Sequence, residues 1–231
     1  MQLTGRVILI TGAKGGLGND VTGRFLAAGA QVAGVSRSIQ DADFENPSFR
    51  AFPAELSNAA KAAALVNGVY AHYGRVDAVV HLLGGYVGGH SVADTPDAVF
   101  EQMFDLNLRS FFYLSRAVLP RMREQKSGRL LAIGSRAAVE PVATAAAYSA
   151  SKAALVSLVK AIALENQDAG ITANVILPGA IDTPANRAAM PDADHTKWVS
   201  PGQIANLLVH VAGDGLSQLS GAVIPFYGAA L

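Results

Sequence analysis

Short runs rich in Val, Ile and Leu alternate along this chain with longer segments whose apolar residues recur every three or four positions. The runs near 6–11, 31–36, 49–53, 76–83, 129–134, 172–177 and 221–226 read as strands. They are nearly continuous in apolar character, which is the pattern of strands buried on both faces of a parallel sheet. Helices are expected over 17–28, 57–73, 97–125, 147–168 and 201–213. In the helix from 147, Leu155, Leu158, Val159 and Ile162 fall on one stripe, which must face the core or a subunit interface. The alternation predicts an α/β fold, and no repeat, low-complexity tract or Pro/Gly/Ser linker divides 1–231 into more than one domain.

The first expected strand runs straight into a turn crowded with glycine. Arg6-Val7-Ile8-Leu9-Ile10-Thr11 is followed by Gly12-Ala13-Lys14-Gly15-Gly16-Leu17-Gly18, then by a helical run through Phe25, Leu26 and Ala28. In such a strand–loop–helix the free amides at the helix N-terminus receive a pyrophosphate. Gly12 permits the tight turn, Gly16 lets backbone approach a dinucleotide, and Gly18 allows close contact between helix and sheet. A glycine-rich turn also joins elements without binding anything; its position at the first strand favours the nucleotide reading.

A second constellation lies past the middle of the chain. Tyr148 and Lys152 stand four residues apart, so on a helix the phenol and the ammonium share a face. A cation beside a phenol favours the phenolate and lowers its pKa toward working pH, which outlines an acid/base catalyst. Ser135 precedes the tyrosine by thirteen residues. Tyr and Lys are common on helix surfaces, so the pair gains its weight from the rest of the chain.

Thr11-Gly-x-x-x-Gly16-x-Gly18, Ser135 and Tyr148-x-x-x-Lys152, in this order, resemble the short-chain dehydrogenase/reductase family over nearly all 231 residues. Asn107 in Asp105-Leu106-Asn107-Leu108 falls at the family's catalytic asparagine, and Pro178-Gly179 followed by Thr183 falls where the family holds the nicotinamide carboxamide. The resemblance implies a single Rossmann-type doubly wound fold of about seven parallel strands with helices on both faces. It also implies hydride transfer between a nicotinamide and a small carbonyl or alcohol. Tyr148 then exchanges the proton, Ser135 orients the substrate atom, Lys152 tunes the phenol and holds the nicotinamide ribose, and Asn107 supports a water relay to Lys152. Leu17 and Gly84 join the implied cofactor contacts. From the residues alone, Ser135 as a strand end and Asn107 as a helix cap or kink remain alternatives.

Cofactor choice depends on the end of the second strand. An acidic residue there selects NAD by accepting from the ribose 2′-hydroxyl, whereas an arginine accommodates a 2′-phosphate. This chain has Ser36 at the family's acidic position, followed by Arg37, which favours NADP(H). Lys14 is a candidate second positive charge; for both, an ordinary solvated charge is the alternative. Glu55 falls where the family has an adenine-contacting aspartate.

Two segments depart from the commonest family pattern. His81-Leu82-Leu83-Gly84 replaces Asn-Asn-Ala-Gly and continues into Gly85-Tyr86-Val87-Gly88-Gly89-His90, and residues 180–200 form the expected substrate loop. Both segments resemble their counterparts in dihydropteridine reductase. Tyr86, Met190 and Trp198 are the substrate candidates, with stacking of Tyr86 and Trp198 on a flat heterocycle or their packing against the core both open. Dihydropteridine reductases carry an NAD-selecting acidic residue and lack the serine, so general carbonyl reduction stands ahead of pterin or imine reduction. A non-catalytic NADP(H)-sensing regulator is a third reading, opposed by retention of the catalytic positions.

Composition narrows the partners. A chain of 231 residues, 51% hydrophobic, buries on the order of 70% of its unfolded surface as one domain. Zero net charge offers no argument for nucleic acid or an anionic membrane. The absence of cysteine excludes disulfides and thiol catalysis, and His81, His90 and His195 are too scattered for ligand spacing, so no metal site is expected. The apolar N-terminal stretch is broken by Gly12 and Lys14, unlike a signal peptide, and no run of about 18 uninterrupted apolar residues occurs. The expectation is a cytoplasmic enzyme of a small-molecule substrate. The family implies a homodimer or homotetramer, consistent with 16% charged residues and the apolar end Gly221–Tyr227.

Overall fold

The structure, a computed structural model, describes residues 3–229. Strands β1 (Val7–Thr11), β2 (Gln31–Ser36), β3 (Phe49–Pro53), β4 (Ala78–His81), β5 (Gly128–Ile133), β6 (Ile171–Pro178) and β7 (Val223–Phe226) form one parallel sheet. Their order is β3-β2-β1-β4-β5-β6-β7. The chain moves outward from β1 to β3, then crosses back to β4. The crevice above the carboxyl ends of β1 and β4 is therefore the topological switch point, where open α/β sheets bind their ligands.

Alternate strand residues supply two cores. Leu9, Val79, Leu130, Ala132, Val175 and Leu177 pack beneath α2 (Ala59–Tyr73), α4 (Ser110–Gln125) and α5 (Ala146–Glu165). Ile8, Ile10, Val80, Leu131, Ile133 and Ile176 pack beneath α1 (Gly18–Ala27) and α7 (Pro201–Ala212). Burial on both faces is why the strand runs lack polar alternation. In α5, Leu155, Val159 and Ile162 are buried and Leu158 half-buried against the same core, as the stripe predicts. This helix is long and apolar enough to cross a membrane by length and composition alone, and here that apolarity covers the sheet.

Three departures from the expected elements matter for the site. The helix expected over 97–125 is two helices, α3 (Asp97–Phe104) and α4, joined by a π turn at Asp105–Arg109. The substrate segment contains a short helix, α6 (Pro184–Ala189), capped by Thr183, whose Oγ1 accepts from the Asn186 N–H at 3.3 Å. β4 is shorter than its apolar run: Asp77 before it accepts from the Val7 N–H at 2.8 Å through its side chain, and the chain leaves the sheet after His81.

Candidate active site

The cofactor candidates surround the switch-point crevice. Gly12 has φ +72°, a left-handed conformation that strains other residues, and a Cβ on it would press on Leu82 and Leu83 backbone at 3.3 Å. Gly18 opens α1 against the loop so closely that a Cβ would collide with the Gly12 carbonyl oxygen. Leu17 precedes α1 without a side-chain cap, and in the first turn the Asn19 N–H donates to the Gly15 carbonyl at 3.0 Å. Gly16 faces Thr183: a Gly16 Cβ would lie 3.1 Å from that of Thr183, so the glycine-rich loop and the segment after β6 approach across the crevice. Pro178 ends β6 and is buried, and the Gly179 N–H donates to the Phe226 carbonyl at 3.1 Å.

Charges along the β2–β3 edge are mostly paired. Lys14 bridges to Asp43 at 2.7 Å, Arg50 to Asp41 at 2.9 Å and Lys61 to Glu55 at 2.8 Å. The second positive charge expected of Lys14 is thus neutralised locally, and the Glu55 carboxylate is engaged. Arg37, exposed beside half-buried Ser36, makes no ion pair or hydrogen bond among the described residues. An open groove of about 970 Å³ runs from Arg37 past Pro53, Glu55 and Lys61 to His72. It lies at the β2–β3 end of the sheet, away from Tyr148.

Ser135 follows β5 and opens a single 3₁₀ turn, its Oγ accepting from the Ala137 N–H at 3.2 Å. Tyr148 and Lys152 lie one turn apart at the start of α5. Burial raises the Tyr148 phenol above its ordinary 10.0; a hydrogen bond with Ser135 pulls the other way, and Tyr86 adds a further upward push. The Lys152 ammonium, 5% exposed, donates to the Ile133 carbonyl at 2.9 Å, and burial lowers its pKa to about 8. In this structure Lys152 is not among the groups that shift the Tyr148 phenol. Helical spacing brings the two to one side, but the β5 carbonyl takes the ammonium, and desolvation dominates the phenol.

Asn107 sits in the π turn, 1% exposed. Its Oδ1 accepts from the Gly85 N–H at 2.9 Å, and its Nδ2 donates to the Gly85 carbonyl and to Ser151 Oγ, each at 3.1 Å. Ser151 Oγ in turn donates to the Tyr148 carbonyl at 2.7 Å. A Cβ on Gly84 would stand 2.9 Å from Asn107 Oδ1 and 3.2 Å from Lys152 Nζ, so only a bare backbone fits beside the two. The site combines a neutral phenol next to a hydroxyl with a buried ammonium and amide behind them. Such a set can hold a substrate oxygen and give it a proton.

Of the substrate candidates, Tyr86 alone meets the phenol: its ring, on a residue 62% exposed, lies edge-on to Tyr148 with centroids 4.9 Å apart. Its loop is tied to the wall before α5, where the Thr144 carbonyl accepts from the Gly89 and His90 N–H groups at 2.8 and 3.1 Å. The Trp198 and His195 rings lie tilted at 54° with centroids 4.3 Å apart, and His195 Nε2 lies 2.9 Å from the Met190 carbonyl. These two candidates thus form one cluster within the substrate segment.

The sequence gives no role to the Thr11, Ser110 or Ser151 side chains, and marks His81 only as part of an altered motif and as one of three histidines too scattered for a metal. His81 ends β4 fully buried, with Nδ1 2.9 Å from Thr11 Oγ1 and Nε2 3.2 Å from Ser110 Oγ. The Thr11 contact follows from parallel register, in which Thr11 pairs with His81. The Ser110 contact has no signal of its own in the sequence.

A doubly wound parallel sheet with a glycine-rich loop at its switch point defines the dinucleotide-binding Rossmann class. The chain belongs to the short-chain dehydrogenases: the family model described as short chain dehydrogenase matches residues 6–194. It is accordingly an NAD(P)-dependent oxidoreductase. It is 29% identical to 2-dehydro-3-deoxy-D-gluconate 5-dehydrogenase of Pseudoalteromonas atlantica over 96% of this chain and 94% of the relative. It is also 29% identical to the 3-oxoacyl-[acyl-carrier-protein] reductase FabG of Salmonella typhimurium, over 99% and 98%. Among solved structures, gox2181 superposes with a TM-score of 0.91 at 26% identity, covering 98% of this chain and 95% of that one. ElxO with NADP bound shares the fold, with a TM-score of 0.91 at 20% identity over 96% and 97%.

Proposed function

We propose that this enzyme is an NADP(H)-dependent reductase of small carbonyl compounds, with Tyr148 as the acid. The observation that carries the reading is the desolvated Tyr148 phenol, on which the Ser135 hydroxyl acts against burial, with Lys152 and Asn107 meeting at Gly84 behind it. A carbonyl oxygen accepting from Ser135 and Tyr148 takes the phenolic proton as its carbon takes hydride. The nicotinamide supplies that hydride when bound; the protein supplies position and electrostatics. Gly12, Gly16, Leu17 and Gly18 would hold the pyrophosphate, and Pro178, Gly179 and Thr183 the nicotinamide end.

The cofactor preference rests on Arg37. With Lys14, Arg50 and Lys61 each paired to a carboxylate, it is the cation of that edge left for a 2′-phosphate, and Ser36 offers no carboxylate to a 2′-hydroxyl. The fold also holds NADP in ElxO. The substrate reading stops at the carbonyl class, because two relatives of equal identity bear names with unrelated substrates. Tyr86, standing exposed and edge-on to Tyr148, favours a second reading, a pterin or imine reductase in which that ring stacks on a flat heterocycle. A homodimer or homotetramer and a cytoplasmic place of action, where reduced nicotinamide is supplied, complete the proposal.

Turnover of a panel of ketones, aldehydes and quinonoid dihydropterin with NADPH and with NADH tests it. Reduction of a ketone or aldehyde with NADPH preferred supports the first reading; reduction of the dihydropterin alone supports the second. Cofactor binding without turnover across the panel would point to a sensor. A Tyr148→Phe protein that still reduced the wild-type substrate at the wild-type rate would remove the assigned acid.

A further inference from the structure

We infer that His81 is a positioning residue, a neutral imidazole protonated on Nε2 that ties the Thr11 hydroxyl at the glycine-rich loop to the π turn carrying Asn107. The inference rests on Asn107 belonging to the catalytic set.

The direction of each bond follows from its neighbours. Ser110 Oγ donates to the Leu106 carbonyl at 2.7 Å, so toward His81 it offers a lone pair, and Nε2 at 3.2 Å must bring the hydrogen. Nδ1 is then bare and accepts from Thr11 Oγ1 at 2.9 Å, and Thr11 Oγ1 itself accepts from the Leu83 N–H at 3.4 Å. The result is one unbroken chain of donors from Leu83 through Thr11, His81 and Ser110 to Leu106. Leu106 immediately precedes Asn107 inside the π turn, a helical form whose wider winding needs outside support to persist. Asn107 grips both polar groups of Gly85, only two residues beyond Leu83, so a second connection closes the circuit back to the same strand end.

The imidazole is enclosed: the Phe111 ring lies 5.1 Å away, and Lys152 is the charged group acting on it. Both burial and that ammonium oppose a proton on Nδ1. A protonated His81 would also reverse the Thr11 bond, leaving the Thr11 hydroxyl hydrogen without Nδ1 as its acceptor. The histidine is long enough to bridge two elements, whereas an asparagine ends near the position of Nδ1 and meets Thr11 alone.

Hydrogen exchange at the Gly85 amide reads the grip of Asn107 with neither substrate nor cofactor present, so a protein without turnover still decides the matter. In Ser110→Ala the Gly85 amide should exchange roughly tenfold faster while the core amides of Val79 and Leu131 keep their protection. Ser110→Thr, which keeps the hydroxyl, should restore it. His81→Asn should match Ser110→Ala, and the double variant should go no further, because both cut the same chain. ¹⁵N shifts of the labelled wild-type imidazole should show Nε2 protonated and Nδ1 bare across neutral pH. Unchanged Gly85 exchange in Ser110→Ala, equal loss of protection at the core amides, additive effects in the double variant, or a hydrogen on Nδ1 would each overturn the inference. Should His81→Asn fail to fold, the Ser110 pair carries the test.

Discussion

The Tyr148 phenol is governed by opposing local effects. Burial, the largest, holds it protonated, while Ser135 acts the other way. Tyr148→Phe should cut kcat by about 10²–10⁴-fold, the usual worth of a general acid, with NADPH affinity nearly unchanged in a fluorescence titration. At Arg37 the expectation is a switch of preference: Arg37→Asp should lower kcat/KM with NADPH and raise it with NADH, because a carboxylate repels the 2′-phosphate and accepts from a 2′-hydroxyl. An unchanged ratio would show that Arg37 is only a solvated charge. Lys152 is expected to show a trade-off. A buried ammonium held by one carbonyl costs stability, so Lys152→Met should raise stability at pH 7 by roughly 1–3 kcal/mol in urea unfolding while abolishing turnover.

At the level of elements, the site is assembled from ends. α1 begins at the crevice, β4 and β5 stop at it, α5 begins beneath it, and the π turn bends the α3–α4 run so that Asn107 points into it. An unbroken α-helix over 97–125 would rotate the residues after 105 relative to those before it. Asn107 and the buried face of α4 could not then both face inward. Gly18 marks how tightly the first of these junctions is built. Gly18→Ala should abolish cofactor binding and lower the melting temperature markedly, because its methyl would meet the Gly12 carbonyl oxygen, a backbone atom that cannot rotate away. Binding of NADPH within a few-fold of wild type in that variant would show that the loop can open without loss.

For the whole molecule, two buried bases bend the pH–stability curve at opposite ends. His81 has its pKa lowered to about 3 against an ordinary 6.5, so the unfolded chain binds a proton that the folded one refuses between those values. Stability should therefore fall as pH drops from 6.5 toward 3, by up to about 1.4 kcal/mol per pH unit from this group, and the slope should flatten in His81→Asn. Lys152, lowered from 10.5 to about 8, acts in the same sense on the alkaline side, its contribution to stability rising with pH between 8 and 10.5. Urea unfolding across pH reads both. Assembly is expected as well: Phe100, Phe112 and Leu164 are large apolar residues left exposed on α3, α4 and α5. Scattering that gave a monomer at working concentration would remove the homo-oligomer from the proposal.

Strand runs, helix periods and the glycine-rich turn were legible in order along the chain because each depends on near neighbours: apolar patterning, backbone freedom at Gly12, the i, i+4 spacing of Tyr148 and Lys152. From these followed the parallel doubly wound sheet, the crevice and the family. What the sequence could not contain was how distant groups share their bonds. Lys152 has the spacing to meet a phenol, yet a β5 carbonyl takes its ammonium; Lys14 has the charge for a phosphate, yet Asp43 meets it. The π turn and the link from His81 to Ser110 likewise arise only when β4, α4 and α5 are pressed together. Local preference names the element, but a buried polar group takes whichever partner packing leaves within about 3 Å, and that is decided by the tertiary structure.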